Sequence, residues 1–148
     1  MPSAPSSLLP SSIADTDRRV EVEAAVRFKI VKPDAAPRRS LESGRGTSVR
    51  LIDTGIGVET LDVHMNVLAP RGPRGRVHRH TRSDNVYIVK SGEGLLTIEN
   101  ERHTIVTDDV VFIPAGTRHS LSNVSERELV IYEIYCPAGA AFDFIADE

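Results

Sequence analysis

Two stretches decide how this chain folds: GPRGRVHRHTRSDNVYIVKSG, from Gly72 to Gly92, and DDVVFIPAGTRHSLSN, from Asp108 to Asn123. In the first, the apolar run Val86–Lys90 ends at the turn residues Ser91-Gly92-Glu93-Gly94. In the second, Val110–Ile113 stops at Pro114-Ala115-Gly116, and a new segment starts at His119. Such runs are too short for helices and are bounded by turn formers, so both stretches read as strand, turn, strand.

Working outward, short strands recur every eight to twelve residues: Arg76–His80, Val86–Lys90, Leu95–Glu99, His103–Thr107, Val110–Ile113, His119–Ser122 and Leu129–Tyr135. That spacing predicts an all-β sandwich or barrel of antiparallel strands, with no room for a crossover helix. Upstream, Thr60–Ala69 alternates Leu61, Val63, Met65 and Val67 on one face with Asp62, His64 and Asn66 on the other. Val49–Ile52 is a short strand before the Gly55-Ile56-Gly57 turn, and Pro33–Gly46 is a long surface connection. Val22–Val31 alternates as a half-buried strand would. The expected organisation is a disordered or loosely held arm over residues 1–20, one β-barrel over 21–137, and a tail or short helix over 138–148.

With 148 residues, 40% of them hydrophobic, the chain has room for one core and one domain. A formal charge of -3 gives no reason to expect nucleic acid or an anionic membrane surface as partner, and no eighteen apolar residues run together. A single cysteine, Cys136, fits a reducing compartment, so the expected location is cytoplasmic. The Val22–Val31 strand would be an exposed edge unless paired, which predicts a homodimer.

Side chains at i and i+2 of a strand share a face, about 6.7 Å apart along the strand. His78 and His80 therefore stand side by side and can converge on a metal, with Zn–N bonds of about 2.0–2.1 Å. A third imidazole must come from His64, His103 or His119. His103 sits beside the polar turn Glu99-Asn100-Glu101, whereas the tight turn 114–118 delivers His119 to the start of a strand, so His119 is the choice.

These motifs resemble those of the cupins. The family's first motif is a Gly, His-x-His, Glu and Gly at fixed spacing; Gly72, His78, His80 and Gly92 match it, with Asn85 where Glu is usual. The second is matched by Pro114, Gly116, His119 and Asn123, with Asp108 in place of its first Gly. The resemblance implies a single-domain double-stranded β-helix, or jelly-roll barrel, and one divalent metal ion held by His78, His80 and His119, with Asn85 in the fourth position. Three neutral imidazoles and an amide suit zinc, nickel, iron or manganese, and the missing carboxylate leaves the ion more Lewis-acidic. Asp84 could replace that carboxylate only through a bulge.

The function so implied is metal-dependent chemistry on a small organic substrate, non-redox in type, as in a cyclase, isomerase or lyase. The alternatives are a three-His iron dioxygenase, or a cupin that binds a sugar or carboxylate without turnover. His64 and Tyr87 are the candidate proton-transfer residues. Arg76 shares the parity of His78 and His80 and could clamp a substrate anion, or else form a salt bridge at the barrel mouth. Asn66, beside His64, contacts substrate if that face lines the cavity. Tyr132 and Tyr135 lie on opposite faces, so at most one sees the interior.

Overall fold

The computed structural model describes residue 3 and residues 27–147. Among the described residues, eleven strands form two antiparallel sheets. The first has six strands, in the order β1 (Arg38–Ser40), β2 (Gly46–Ile52), β3 (Asp62–Leu68), β10 (Leu129–Cys136), β5 (Asp84–Ser91) and β8 (Val110–Ile113). The second has five, in the order β11 (Ile145–Ala146), β4 (His78–Arg79), β9 (His119–Ser122), β6 (Glu93–Ile98) and β7 (Glu101–Val106). The only helices among the described residues are single 3-10 turns of three residues. Two packed sheets with strands swapping between them make a double-stranded β-helix, although the two sheets do not close into a strict barrel.

The inner faces meet in a core of Leu68, Tyr87, Val89, Leu96, Ile105, Ile113, Leu121, Leu129 and Ile131. They come from β3 and from β5 to β10, and on β5 (Tyr87, Val89) and β10 (Leu129, Ile131) they are the alternate positions that the period-2 pattern turns inward. Each such aliphatic chain contributes about 1.5–3 kcal/mol when fully buried. Val49, Leu51 and Met65 form a second cluster on the opposite face of β2 and β3, covered by Val31 and Ala36. Gly46 permits that pairing at its start: at φ 142 a Cβ would lie 1.9 Å from the Val67 carbonyl oxygen, so no other residue fits.

Three expectations differ from the structure. Residues 27–31 are not a strand: they have no ladder partner, and Phe28 and Ile30 are 85% and 76% exposed. The rest of that segment, and the expected arm apart from Ser3, lie outside the described residues. The connection 33–46 contains β1, which pairs with β2. The tail is no terminal helix. After one 3-10 turn at Gly139–Ala141 it runs back as β11, with Ile145 opposite Arg79 and Ala146 opposite His78. A pairing 66 positions away in the chain offers its backbone ladder bonds that eleven isolated residues could not supply by a marginal helix.

Candidate metal centre and its cavity

His78 and His119 are cross-strand partners on β4 and β9, and the Pro114-Ala115-Gly116 turn is anchored to the first motif by Gly116 N–H donating to the His80 carbonyl at 2.7 Å. Asp84 Oδ1 accepts from Ala115 N–H at 3.0 Å, so this exposed carboxylate braces the turn from outside. The three ring centroids then lie 4.3 Å (His78–His119), 5.0 Å (His78–His80) and 5.5 Å (His80–His119) apart. One nitrogen from each ring falls within 4.8 Å of the others, a set compatible with one metal ion.

Each Nδ1–H is committed to a main-chain carbonyl: His78 to Arg76 at 2.9 Å, His80 to Asp143 at 2.6 Å, His119 to Thr117 at 2.8 Å. This fixes the tautomer with the Nε2 lone pair unprotonated, which is how metal-binding imidazoles are oriented. The Nε2 atoms of His80 and His119 are buried and have no partner. Burial brings His78 down to about 4 and lowers His119 as well, so both rings are neutral near pH 7. Asn85 is 1% exposed on the inward face of β5, and neither atom of its amide has a hydrogen-bond partner. Buried orphan acceptors of this kind fit a cation, since leaving them unpaired carries a desolvation penalty.

The tail braces this cluster. Phe144 stacks on His78 with centroids 4.3 Å apart, Phe142 lies 4.9 Å from His80, and the Asp143 carboxylate accepts from the Thr81 N–H at 2.7 Å and from the Thr81 hydroxyl.

Beside the histidines lies a cavity of about 810 Å³. The polar face of β3 lines it, so His64 and Asn66 are interior residues, 6% and 8% exposed. His64 Nδ1 donates to Asp62 at 2.9 Å and Nε2 to Glu133 at 3.0 Å. Both partners are carboxylates, so both ring nitrogens carry protons and His64 is an imidazolium. Burial by itself would lower its pKa, but the Asp62 and Glu133 hydrogen bonds raise it to about 9. The Arg50 guanidinium, 3.3 Å from Nδ1 and bound to Asp62 at 2.8 Å, is then a like-charged neighbour that opposes the shift.

Glu133 accepts on Oε2 from both His64 and the Tyr135 hydroxyl, the latter at 2.6 Å. Burial would raise its pKa, yet the bond and charge of His64 bring it down to about 2. Burial raises Tyr87 and Tyr135 well above 10, so both stay protonated phenols. Tyr135 also ties this pair to the metal centre, its ring standing edge-on to His80 at 4.8 Å.

Of the residues chosen from the sequence, His78, His80 and His119 come together, while His64, Asn66 and Tyr87 line the cavity beside them. Arg76 reaches the mouth only: its guanidinium bonds Glu42 at 2.8 Å and lies over the Phe144 ring at 5.3 Å. Sequence reasoning missed Glu133, Arg45, Arg50 and the two tail phenylalanines, while of the Tyr132 and Tyr135 pair it is Tyr135 that lines the cavity. Glu133 was visible in principle, as a carboxylate at the inward parity of Leu129, Ile131 and Tyr135 in an otherwise apolar strand.

The fold and the three convergent imidazoles define a double-stranded β-helix whose interior is compatible with a metal site. Residues 64–135 match the Cupin domain family, and the chain is a member of the cupin superfamily. Among solved structures, the polyketide cyclase RemF from Streptomyces resistomycificus is 16% identical, with a TM-score of 0.71 over 82% of this chain and 87% of that one. KdgF from Halomonas sp. is also 16% identical, with a TM-score of 0.67 over 77% and 97%. A cupin-superfamily sugar phosphate isomerase from Silicibacter pomeroyi is 22% identical, with a TM-score of 0.65 over 80% and 93%. An uncharacterised protein of Methanocaldococcus jannaschii is 31% identical over 64 residues, 43% of this chain and 51% of its own length. The chain spans about half the length of the curated relatives it matches. No helix among the described residues is long and apolar enough to cross a membrane.

Proposed function

We propose that this cupin is a metal-dependent enzyme that moves protons on a small organic substrate, in a non-redox reaction of the cyclase, isomerase or lyase type. The observation that carries this reading is the convergence of three imidazoles, each with Nδ1 tied to a main-chain carbonyl, one of which, His78, lines a cavity that also holds an ionised Glu133. His78, His80 and His119 would hold one divalent ion, with the Asn85 amide as a neutral fourth donor. When bound, the ion supplies Lewis acidity that polarises a substrate oxygen.

The chain's own groups divide the remaining work. Glu133, which lines the cavity, is the proton acceptor: His64 and Tyr135 clamp Oε2, and no described residue bonds Oε1. A carboxylate held ionised this firmly is a weak base, so it suits a substrate proton already acidified by polarisation of the neighbouring oxygen. His64, doubly protonated between two carboxylates, keeps Glu133 charged and acts as a donor rather than as the base the sequence suggested. Tyr87, a phenol at neutral pH, orients substrate by donating its hydroxyl. Phe142 and Phe144 exclude water from the imidazoles. That a cyclase and an isomerase share this fold supports the reading, although one fold hosts many chemistries.

Elemental analysis of protein grown with ample metal tests it. About one mole of a transition metal per chain is expected. Less than about a tenth of a mole, or retention of metal in His119→Ala, ends the reading. In the same reading the chain self-associates through the β8 edge, where Val110 and Phe112 are 66% and 62% exposed, and light scattering should give twice the monomer mass.

A further inference from the structure

Not every guanidinium on the cavity wall is paired with a carboxylate. Of the four arginines there, Arg50 bonds Asp53 and Asp62, and Arg76 bonds Glu42. Arg39, which is exposed, and Arg45, which is half-buried, meet no carboxylate among the described residues. Arg45 donates from Nη2 to the Leu121 carbonyl at 3.0 Å, while its Nε is shut away from solvent without an acceptor. A guanidinium has five N–H donors and cannot shed its charge, so one backbone acceptor leaves it under-satisfied.

The position is built to hold this side chain. A Cβ on Gly75 would stand 2.5 Å from Arg45 Nη2, so the glycine vacates the space that the guanidinium fills. Two further hydroxyls line the same cavity: Tyr87, on which the Arg45 charge acts, and Ser48, whose buried Oγ has no partner. A fixed cation with hydroxyl donors around it lacks one component, an acceptor that carries negative charge.

We propose that Arg45 anchors an oxyanion subsite, and that the substrate of this cavity is a small organic anion. Its carboxylate or phosphate group is held by Arg45 and Tyr87, and its reacting end faces the histidines and Glu133. This assigns to Arg45 the clamping role that parity had suggested for Arg76, which Glu42 already occupies. The placement of the reacting end rests on the functional reading above, whereas the subsite itself rests on Arg45.

The test is a titration of the purified, metal-loaded protein, labelled with 15N at arginine, using glycolate, methylphosphonate and, as a neutral control, ethylene glycol. A saturable shift of the Arg45 Nε–Hε resonance is expected with an anion and none with ethylene glycol; the tighter of the two anions tells carboxylate from phosphate. Arg45→Gln should weaken binding by about tenfold or more, the loss expected for a charged hydrogen bond. Arg76→Gln, which removes an exposed pair, should leave it within about twofold. Should Arg45→Gln fail to fold, Tyr87→Phe serves in its place, with a loss of about threefold expected.

Unchanged affinity in the variant that folds overturns the subsite, as does the absence of anion binding up to about 50 mM, where even a millimolar Kd would show. Binding that survives Arg45→Gln but disappears in His119→Ala places the anion on the metal, which sinks the subsite and leaves the metal centre standing. Arg45-dependent binding in protein that retains no metal does the reverse.

Discussion

The Nδ1–H of His80 donates to the main-chain carbonyl of Asp143 at 2.6 Å, across 63 positions of sequence. The bond sets the tautomer of a buried imidazole, and the Asp143 side chain fixes that carbonyl by gripping Thr81, the residue next to His80. The tail is thus part of the three-histidine cluster, acting through ring orientation.

Asp143→Ala tests that relationship. It removes the grip on Thr81 while leaving all three imidazoles in place. Metal affinity should fall by about tenfold, as for other outer partners of metal-bound histidines, in a competition with a chelator. Equal affinity in the variant would show that the grip on Thr81 does not set the His80 ring.

Metal should also stabilise the fold by mass action. Saturation at about a hundred times Kd contributes about 2.7 kcal/mol, so the thermal midpoint should rise with added zinc and fall with chelator. His119→Ala should show neither response, because one of three convergent donors is gone.

The pH dependence of the metal-free protein should be two-sided. His64 has its pKa raised from 6.5 to about 9, so from pH 6.5 upward the folded state binds a proton that the unfolded state does not, and stability falls as pH rises toward 9. His78 is lowered from 6.5 to about 4, so between these values the unfolded state takes the proton and stability falls as pH drops. Each limb has a slope of at most about 1.4 kcal/mol per pH unit from that residue. Urea unfolding across pH 5–9 measures both, and His64→Gln should flatten the alkaline limb.

Charge pairs of similar length should differ sharply in worth. Glu133→Gln leaves the buried His64 without one counter-charge and should destabilise by about 3 kcal/mol. Arg76→Gln breaks the Glu42 pair, whose side chains are 52% and 67% exposed, and should change stability by under about 1 kcal/mol. Comparable losses for the two variants would mean that the His64 site is wetter than its burial indicates.

Most strands were legible because alternation is a local signal: Val110–Ile113 and His119–Ser122 form with the bounds the pattern predicts. Residues 27–31 show its limit, since alternation without a partner strand makes no sheet. The same parity put His64 and Asn66 on one face with Asp62 but could not say whether that face met solvent or cavity. Arg76 has the parity of the histidines, yet nothing local foretold that Glu42, 34 positions earlier, would take it.

What the sequence determined by itself was most of the strands and the shared face of His78 and His80, because backbone geometry fixes which side chains lie together two residues apart. Tertiary structure alone decided the contents of the cavity. Glu133 meets His64, Arg45 meets Leu121 and Asp143 meets His80 across separations of 69, 76 and 63 residues, and pairings of that reach follow from which strands lie side by side, how the sheets pack and where the tail runs, not from any local pattern.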